Sequence, residues 1–234
     1  MPFGRVPRRL AYNAYQKSFS KTPRFKRKPR LAKIQRDVYK LMNTRETKVV
    51  NLSNNTALST TFSSIGLTAV AQGDDASSRD GNQITLKAIK LRMNFDADAD
   101  TSLSGNHIRI VIAQDLQQVQ STALAAATVF ETATNSNSLY NFPTNLGRFL
   151  VLYDRTVECK YSTGCAYSGS AVVNRDVKYQ VNIDLKKFKI NDVKYANSSN
   201  TGLQRGGVYL FVAKDNTNWI IQPDIRWQVY FTDA

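Results

Sequence analysis

The stretch NQITLKAIKLRMNF, residues 82–95, decides the fold. Its apolar side chains occupy alternate positions from Ile84 to Ala88, and the alternation then shifts by one residue and runs from Ile89 to Phe95. A period of two indicates a strand with one buried face, and a shift by one residue predicts a β-bulge near Ala88–Ile89. A long strand that bends at a bulge can turn over the edge of a β-sandwich.

Alternation of the same kind recurs along most of the chain after residue 46 and predicts an all-β domain, either a sandwich or a barrel. Strands are expected near residues 47–52, 57–63, 84–97, 106–114, 148–157, 176–186, 207–214 and 224–232, with a short extra strand near 193–196. The segment RFLVLYDRTV, residues 148–157, is apolar on both faces as far as Tyr153, which predicts a central strand covered on both sides. The connection 115–147 is expected to hold a short helix near 121–131.

Nearly all of the net charge of +14 lies in the first fifth of the chain. Residues 1–48 hold 15 of the 32 Lys and Arg residues but only two of the 18 acidic residues, Asp37 and Glu46. The remaining residues hold 17 basic and 16 acidic groups and are therefore close to neutral. A neutral body with a cationic tail indicates a polyanionic partner.

The tail is predicted to be an N-terminal arm, residues 1–46, followed by a single β domain, residues 47–234. The first 30 residues contain four prolines and few apolar side chains, so this part of the arm is expected to be disordered when it is alone. Residues 31–43 differ, because their apolar side chains follow helical spacing and predict a short amphipathic helix. The apolar stripe of that helix consists of Leu31, Ile34, Val38 and Leu41.

The arm carries the one strong chemical signal of the sequence, a capacity to bind nucleic acid. Lys and Arg neutralise phosphates and give salt-sensitive binding without sequence preference, while the interleaved Tyr and Phe rings can stack on unpaired bases. The run KRKPR, residues 26–30, is also typical of a nuclear localisation signal. The predicted phosphate-binding residues are Arg5, Arg8, Arg9, Lys17, Lys21, Arg24, Lys26, Arg27, Lys28, Arg30, Lys33, Arg36 and Lys40.

Side chains with catalytic chemistry are scarce, so no enzymatic activity is expected. The chain has one histidine, His107, and three glutamates, and it has neither a recognisable nucleophile motif nor a Gly-rich phosphate loop. Cys159 and Cys165 lack the spacing of a zinc site and are either free thiols or a disulfide that closes a hairpin. The longest apolar runs are far below the roughly 20 residues that cross a membrane, so no membrane association is expected.

The alternating aspartates of DADAD, residues 96–100, are weak metal candidates. Asp96, Asp98 and Asp100 resemble the start of a calcium loop, but no glycine occupies the sixth position and His107 occupies the twelfth. No cofactor is expected. A structural calcium ion between subunits remains the alternative to a solvated acidic turn.

A β domain behind a basic, proline-punctuated arm resembles the capsid proteins of small icosahedral viruses. Residues 72–92, QGDDASSRDGNQITLKAIKLR, resemble the loop and long third strand in capsid proteins of circovirus-like viruses, which have small circular Rep-encoding single-stranded DNA genomes. Residues 148–157 resemble strand E of those proteins, and the ending YFTD resembles the end of their last strand. The same motifs are similar to those of coat proteins of small plant satellite RNA viruses.

This resemblance implies a single eight-stranded jelly roll, strands B to I, built from two four-stranded antiparallel sheets behind the basic arm. It implies a viral capsid protein that self-assembles into an icosahedral shell of about 60 copies, with the arms inside against the genome. The implied partners are further copies of the chain, viral nucleic acid in the form of single-stranded DNA, host import machinery and a host receptor. The implied locations are the virion and, during assembly, the host nucleus.

A shell requires large contacts between subunits, and aromatic residues in predicted loops and edges are expected to supply them. The interface candidates are Tyr140, Phe142, Tyr161, Tyr195 and Trp219, each of which is equally compatible with a place in the core. The lysines of a second cluster either face the genome or form a solvated face. These are Lys186, Lys187, Lys189 and Lys194.

Two other classes of protein fit part of the sequence. A cellular nucleic-acid-binding β-protein with a basic tail would explain the arm without a shell, and closed particles would exclude it. A carbohydrate-binding jelly roll fits the body but not the arm, and it would present exposed aromatic and acidic residues in one cluster of loops.

Overall fold

The computed structural model describes residues 46–98, 106–117, 124–159, 177–199, 202–215, 217 and 220–234, which all lie in one compact unit, Glu46–Ala234. These residues form ten strands and two helices of a single turn each. The strands are β1 (Lys48–Asn54), β2 (Ser63–Gly66), β3 (Gln83–Asp98), β4 (Asn106–Asp115), β5 (Phe149–Cys159), β6 (Val177–Leu185), β7 (Asp192–Tyr195), β8 (Leu203–Arg205), β9 (Val208–Lys214) and β10 (Ile220–Asp233). The helices are α1 (Ala126–Val129) and α2 (Phe142–Asn145). The helix predicted near residues 31–43 lies outside the described residues.

The strands form two antiparallel sheets. Sheet A has the order β1-β10-β3-β7-β8, with β6 also paired to β3, and sheet B has the order β2-β9-β4-β5. The pairs β1·β10, β2·β9, β3·β6 and β4·β5 are those of one long hairpin, and rolling that hairpin up adds the pairs β3·β10 and β4·β9. This topology is a jelly roll and confirms the predicted fold class.

Sheet A has six strands instead of the predicted four, because the 16-residue β3 pairs with two successive partners along one edge. The β7 strand pairs with β3 at residues 83–85, and β6 pairs with it at residues 89–97. The two strands therefore share one position in the sheet, and the short β8 adds to it beyond β7. Sheet B has the predicted four strands.

The bend predicted in β3 is present. Tyr230 of β10 pairs with Ala88 and Phe231 pairs with Leu86, which leaves Lys87 as the extra residue of a β-bulge. The bulge lies one position before the predicted Ala88–Ile89. Because one residue is left out of the register, Leu86 and Ile89 are both buried although they are three positions apart, which explains the shift in the sequence pattern.

The strand predicted at residues 148–157 is present as β5, but the prediction that it is a central strand covered on both sides is wrong. The β5 strand lies at the edge of sheet B, where Val151, Leu152 and Tyr153 are only half-buried, and it is the fifth strand of the roll, position F instead of E. The strand that is covered on both sides is β9, all of whose seven residues are buried between β2 and β4. Apolar residues on both faces of a segment do not show whether the segment lies at the centre or at the edge of a sheet.

Two shorter elements also differ from prediction. The strand expected near residues 57–63 is replaced by β2, which begins at Ser63 where pairing with β9 begins. Leu58 and Phe62 are buried without belonging to a strand, and the Leu58 amide donates to the Ile221 carbonyl at 3.0 Å. The helix expected near residues 121–131 is the single turn α1.

The inner faces of the two sheets form one apolar core, but their outer faces differ. The outer face of sheet B is covered by the β4–β5 connection, of which residues 124–148 are described. The outer face of sheet A is polar, and no described segment covers it. No helix in the described part of the chain is long and apolar enough to cross a membrane.

Candidate subunit interface

The β4–β5 connection packs an aromatic cluster onto the outer face of sheet B. Phe130 stacks on Phe62 with ring centroids 3.9 Å apart, and Phe142 stacks on Phe149 at 5.3 Å. Tyr140 lies between the two pairs, with its ring 5.7 Å from that of Phe130 and 5.4 Å from that of Phe142. Aromatic rings at these separations attract one another and bury much apolar area.

A β-bridge and a side-chain hydrogen bond hold the connection in place. Phe130 and Tyr140 form an isolated β-bridge, so the segment between them is a closed loop. The α2 helix has Pro143 in its first turn, a position at which proline does not interrupt hydrogen bonding. The side-chain amide of Asn145 donates to the carbonyl of Thr128 at 3.0 Å, which ties the end of α2 to α1.

An ion pair within sheet B holds the connection through further hydrogen bonds. Arg109 of β4 donates to Asp154 of β5 through Nε at 3.1 Å and Nη2 at 2.8 Å. The same guanidinium donates from Nη1 to the carbonyls of Ser136 and Ser138, at 3.0 and 2.6 Å. The hydroxyl of Tyr140 donates to Asp154 Oδ2 at 2.5 Å, and its ring centre lies 5.3 Å from the guanidinium. Bidentate pairing of this kind fixes geometry as well as charge.

The charges in this group reinforce one another. Burial raises the pKa of Asp154, but the hydrogen bonds from Arg109 and Tyr140 outweigh burial and hold that pKa below its ordinary value. The hydrogen bond to Asp154 raises the pKa of Arg109, and burial together with the same carboxylate raises the pKa of Tyr140 well above its usual range. At neutral pH the group therefore consists of a carboxylate, a cation and a neutral phenol donor.

The surface of this connection is unusually apolar. Among the described residues, the large apolar side chains that remain exposed are Leu139 (70%), Phe142 (41%), Leu146 (82%) and Leu150 (36%). All four, called here the apolar rim, lie within residues 139–150. Single exposed apolar residues are ordinary on monomers, but their concentration in one segment makes this segment a candidate interaction site. Phe142 belongs to both the rim and the aromatic cluster, so the rim is joined through this ring to the side chains packed on sheet B.

The structure brings two of the predicted interface residues together at this surface. Phe142 is exposed within the apolar rim, and Tyr140 is half-buried beside it. The leucines of the rim and the Arg109–Asp154 pair were not predicted from the sequence. Leu139, Phe142 and Leu146 stand as isolated apolar residues in the Ser- and Asn-rich stretch SNSLYNFPTNLG, and that contrast is the signal that could have identified them.

Tyr195 is not an interface residue, which corrects the prediction. Its side chain is 3% exposed and its hydroxyl donates to the Thr68 carbonyl at 2.7 Å. The guanidinium of the fully buried Arg79 lies 3.9 Å from the ring centre, and it donates to the carbonyls of Val70 at 3.0 Å and Asn197 at 2.6 Å. This cluster joins the β2–β3 loop to the segment after β7 and leaves Tyr195 no surface for a neighbour.

The other predicted site residues lie outside what the structure describes. These are Tyr161, Trp219, Asp100, Cys165 and all thirteen basic residues of the arm, from Arg5 to Lys40. The backbone at Asp96 and Asp98 belongs to β3. In the described residues, no group of three or more His, Cys, Asp or Glu side chains is placed to hold a metal ion. His107 pairs with Asp215, with Nδ1 and Oδ2 2.7 Å apart.

Comparison with known proteins gives a family. The family model for the satellite tobacco necrosis virus coat protein matches residues 21–234. No curated protein sequence matches the chain. Among solved structures, the chain is similar to that of Desmodium yellow mottle tymovirus, with 9% identity, a TM-score of 0.34 and coverage of 82% of this chain and 89% of that one.

The VP2 subviral particle of infectious bursal disease virus is a second structural match. Its identity is 6% and its TM-score is 0.22, over 81% of this chain. The match spans 38% of the VP2 chain, so this chain is much shorter than that protein.

Proposed function

The chain belongs to the satellite tobacco necrosis virus coat protein family, and we propose that it assembles with copies of itself into a small icosahedral shell. About 60 copies would occupy the equivalent positions of such a shell. The role is structural and non-enzymatic, and the location is the virion. The observation that carries the proposal, beyond the family, is the apolar rim at residues 139–150.

The occupant of the apolar rim is a second copy of the chain. A coat protein must bury surface against its neighbours, and the rim combines exposed leucines with the aromatic residue Phe142, which fits the apolar core of an interface. The edge strand β5 begins inside the same segment, at Phe149, so the contact would extend along that edge. Contacts of this kind contribute to subunit stability by mass action.

The basic arm is the genome-binding part of this proposal. With a net charge of +13 on residues 1–48 of each of about 60 copies, the shell would hold on the order of 800 positive charges against the phosphates of the packaged nucleic acid. Binding through these charges is sequence-nonspecific and weakens as salt is added. The run at residues 26–30 would direct the chain to the host nucleus through the import machinery before assembly.

The finer identity of the virus is part of the proposal as well. The resemblance to circovirus-like capsid proteins favours single-stranded DNA as the genome, whereas the similarity to satellite RNA virus coat proteins favours RNA. Digestion of the packaged nucleic acid with DNase or with RNase distinguishes the two. A host receptor would bind the outer surface of the shell.

The experiment uses the full-length chain, expressed alone and purified in about 0.15 M salt. Negative-stain images and the ratio of absorbance at 260 and 280 nm are compared for the wild type, for Leu139→Ser with Leu146→Ser, and for the control Asn94→Ser with Gln222→Ser. We expect closed particles with a raised ratio from the wild type and the control. The leucine variant should remain folded and yield at least tenfold fewer particles, because it loses apolar contact area.

The outcomes separate the parts of the proposal. Only small species from the wild type, across salt and pH, would contradict the shell and favour a cellular nucleic-acid binder. Normal particles from the leucine variant would remove the rim from the subunit contact. Particles with a protein-like absorbance ratio would contradict packaging by the arm.

A further inference from the structure

A basic groove lies on the outer face of sheet A, on the opposite side of the domain from the β4–β5 connection. It has a volume of about 580 Å³ and crosses β1, β10 and β3. The polar residues that line it include Asn51, Ser53, Lys90, Arg92, Arg226 and Gln228. The lining contains three cations but only one carboxylate, that of Asp224. The groove is therefore positive, although the body as a whole is close to neutral.

Two arginines of the groove face each other across neighbouring strands. Arg92 of β3 and Arg226 of β10 are directly paired in the register and both are exposed. Side chains in such a pair are about 5 Å apart at Cβ, and like charges in this position destabilise a sheet. Asp224 accepts a hydrogen bond from Arg226 Nε at 2.9 Å, but no described carboxylate lies within ion-pairing distance of Arg92.

Lys90 is a second cation of the groove that no described carboxylate neutralises. Its ammonium lies 5.0 Å from the ring centre of Tyr230, which holds the side chain over the groove without removing its charge. Asp184 is the cross-strand partner of Lys90 in the register, yet the carboxylate of Asp184 pairs with Lys186 at 3.3 Å. The groove therefore carries two cations, Lys90 and Arg92, without an ion pair in the described part of the chain.

We infer that this groove binds phosphate groups of a single-stranded nucleic acid. Guanidinium groups bind phosphate in a bidentate manner, and two arginines that are paired directly across neighbouring strands can hold one phosphate between them. The amides of Asn51 and Gln228 provide neutral donors beside the charges. An anion between the arginines would also offset their repulsion, so the arrangement is stable when it is occupied.

This inference rests on the proposed function, because the nucleic acid would be the packaged genome. It extends genome binding from the arm to the body and places the outer face of sheet A toward the inside of the shell. Carboxylates of a neighbouring subunit are the competing occupant, and they would make the groove a contact between copies.

The test measures binding of the full-length chain to a 20-nucleotide oligo-dT strand, which has phosphates but weak base stacking, over a range of salt concentrations. The variant is Lys90→Gln with Arg92→Gln, and the control is Arg155→Gln with Lys87→Gln, which removes the same charge from exposed positions outside the groove. Each lost phosphate contact lowers the slope of log K against log salt by about 0.7. We expect the groove variant to lower the slope by about 1.4 and to weaken binding roughly tenfold at 0.15 M salt.

Equal slopes for the groove variant and the control would overturn the inference. A groove variant that binds oligo-dT like the wild type but forms fewer particles would also overturn it, in favour of carboxylates of a second copy. Particle formation by the wild type is scored separately by negative stain, so failure of the shell and failure of the groove are distinguishable.

Discussion

The two sheets of the jelly roll both have apolar inner faces, but the outer face of sheet B is covered by apolar side chains and that of sheet A is polar and exposed. On sheet B, the β4–β5 connection buries Phe130 and Phe211 on the outer side, and the connection itself ends in exposed leucines. On sheet A, Lys90, Arg92 and Arg226 stand in solvent on the outer side. The same fold therefore carries two outer surfaces of different chemistry, one with exposed apolar side chains and the other with cations.

The largest expected loss of stability comes from a substitution on the outer face of sheet B, which the β4–β5 connection covers. Phe130→Ala removes a fully buried ring that contacts Phe62, Tyr140 and Phe211, and it should cost about 3–5 kcal/mol in the free energy of unfolding. Denaturant unfolding of dissociated subunits at fixed protein concentration measures the change. The matched substitution on the uncovered outer face of sheet A, Asn94→Ala, should change the free energy of unfolding by less than about 0.5 kcal/mol. Equal losses for the two variants would contradict the comparison.

An intermediate effect is expected at the ion pair that anchors the connection. Asp154→Asn leaves Arg109 without its counter-ion and weakens the bond from Tyr140, so it should cost about 1–3 kcal/mol at neutral pH. Asp184→Asn on sheet A, an exposed carboxylate, is the control and should cost less than about 0.5 kcal/mol.

The same pair predicts a dependence on pH. The pKa of Asp154 is lowered in the folded state, so its contribution is present above the ordinary carboxyl pKa of about 4 and is lost as pH falls through the lowered value. Wild-type stability should therefore fall more steeply below about pH 4 than that of Asp154→Asn. Parallel curves of unfolding free energy against pH would show that Asp154 contributes nothing through its charge.

The smallest effect on stability is expected in the basic groove. Arg92→Gln removes one of two like charges that face each other across β3 and β10, so it should leave stability unchanged or raise it by up to about 0.5 kcal/mol. The midpoint of thermal unfolding at low salt, where repulsion is strongest, measures this. A clear loss of stability would mean that Arg92 is structural and would weaken its assignment to phosphate binding.

The sequence predicted those parts of the fold that depend on local pattern. The shift of alternation at Ala88 predicted the bulge, which the structure has at Lys87, because burial on one face of a strand imposes a period of two. The edge position of β5 could not be predicted in this way. Its apolar residues pack under the β4–β5 connection, and the sequence pattern does not show whether a connection or a further strand covers them. The six-stranded form of sheet A depends on which part of β3 each partner reaches, and that information is not local.

The candidate site was predicted only in part, for a similar reason. Phe142 and Tyr140 are predictable because aromatic residues are common at interfaces. Leu139 and Leu146 have no periodicity, and their exposure depends on how the connection folds over sheet B. The buried Arg79, which holds Tyr195 in the core, has the sequence signature of an ordinary surface arginine, so the burial of Tyr195 was not predictable.

The most direct test of the account is a cryo-electron microscopy reconstruction of particles formed by the full-length chain. We predict a closed shell in which Leu139 and Leu146 are buried between neighbouring subunits and in which Lys90, Arg92 and Arg226 face the interior. A shell with the leucines on its solvent-exposed outer surface and the basic groove outside would contradict it.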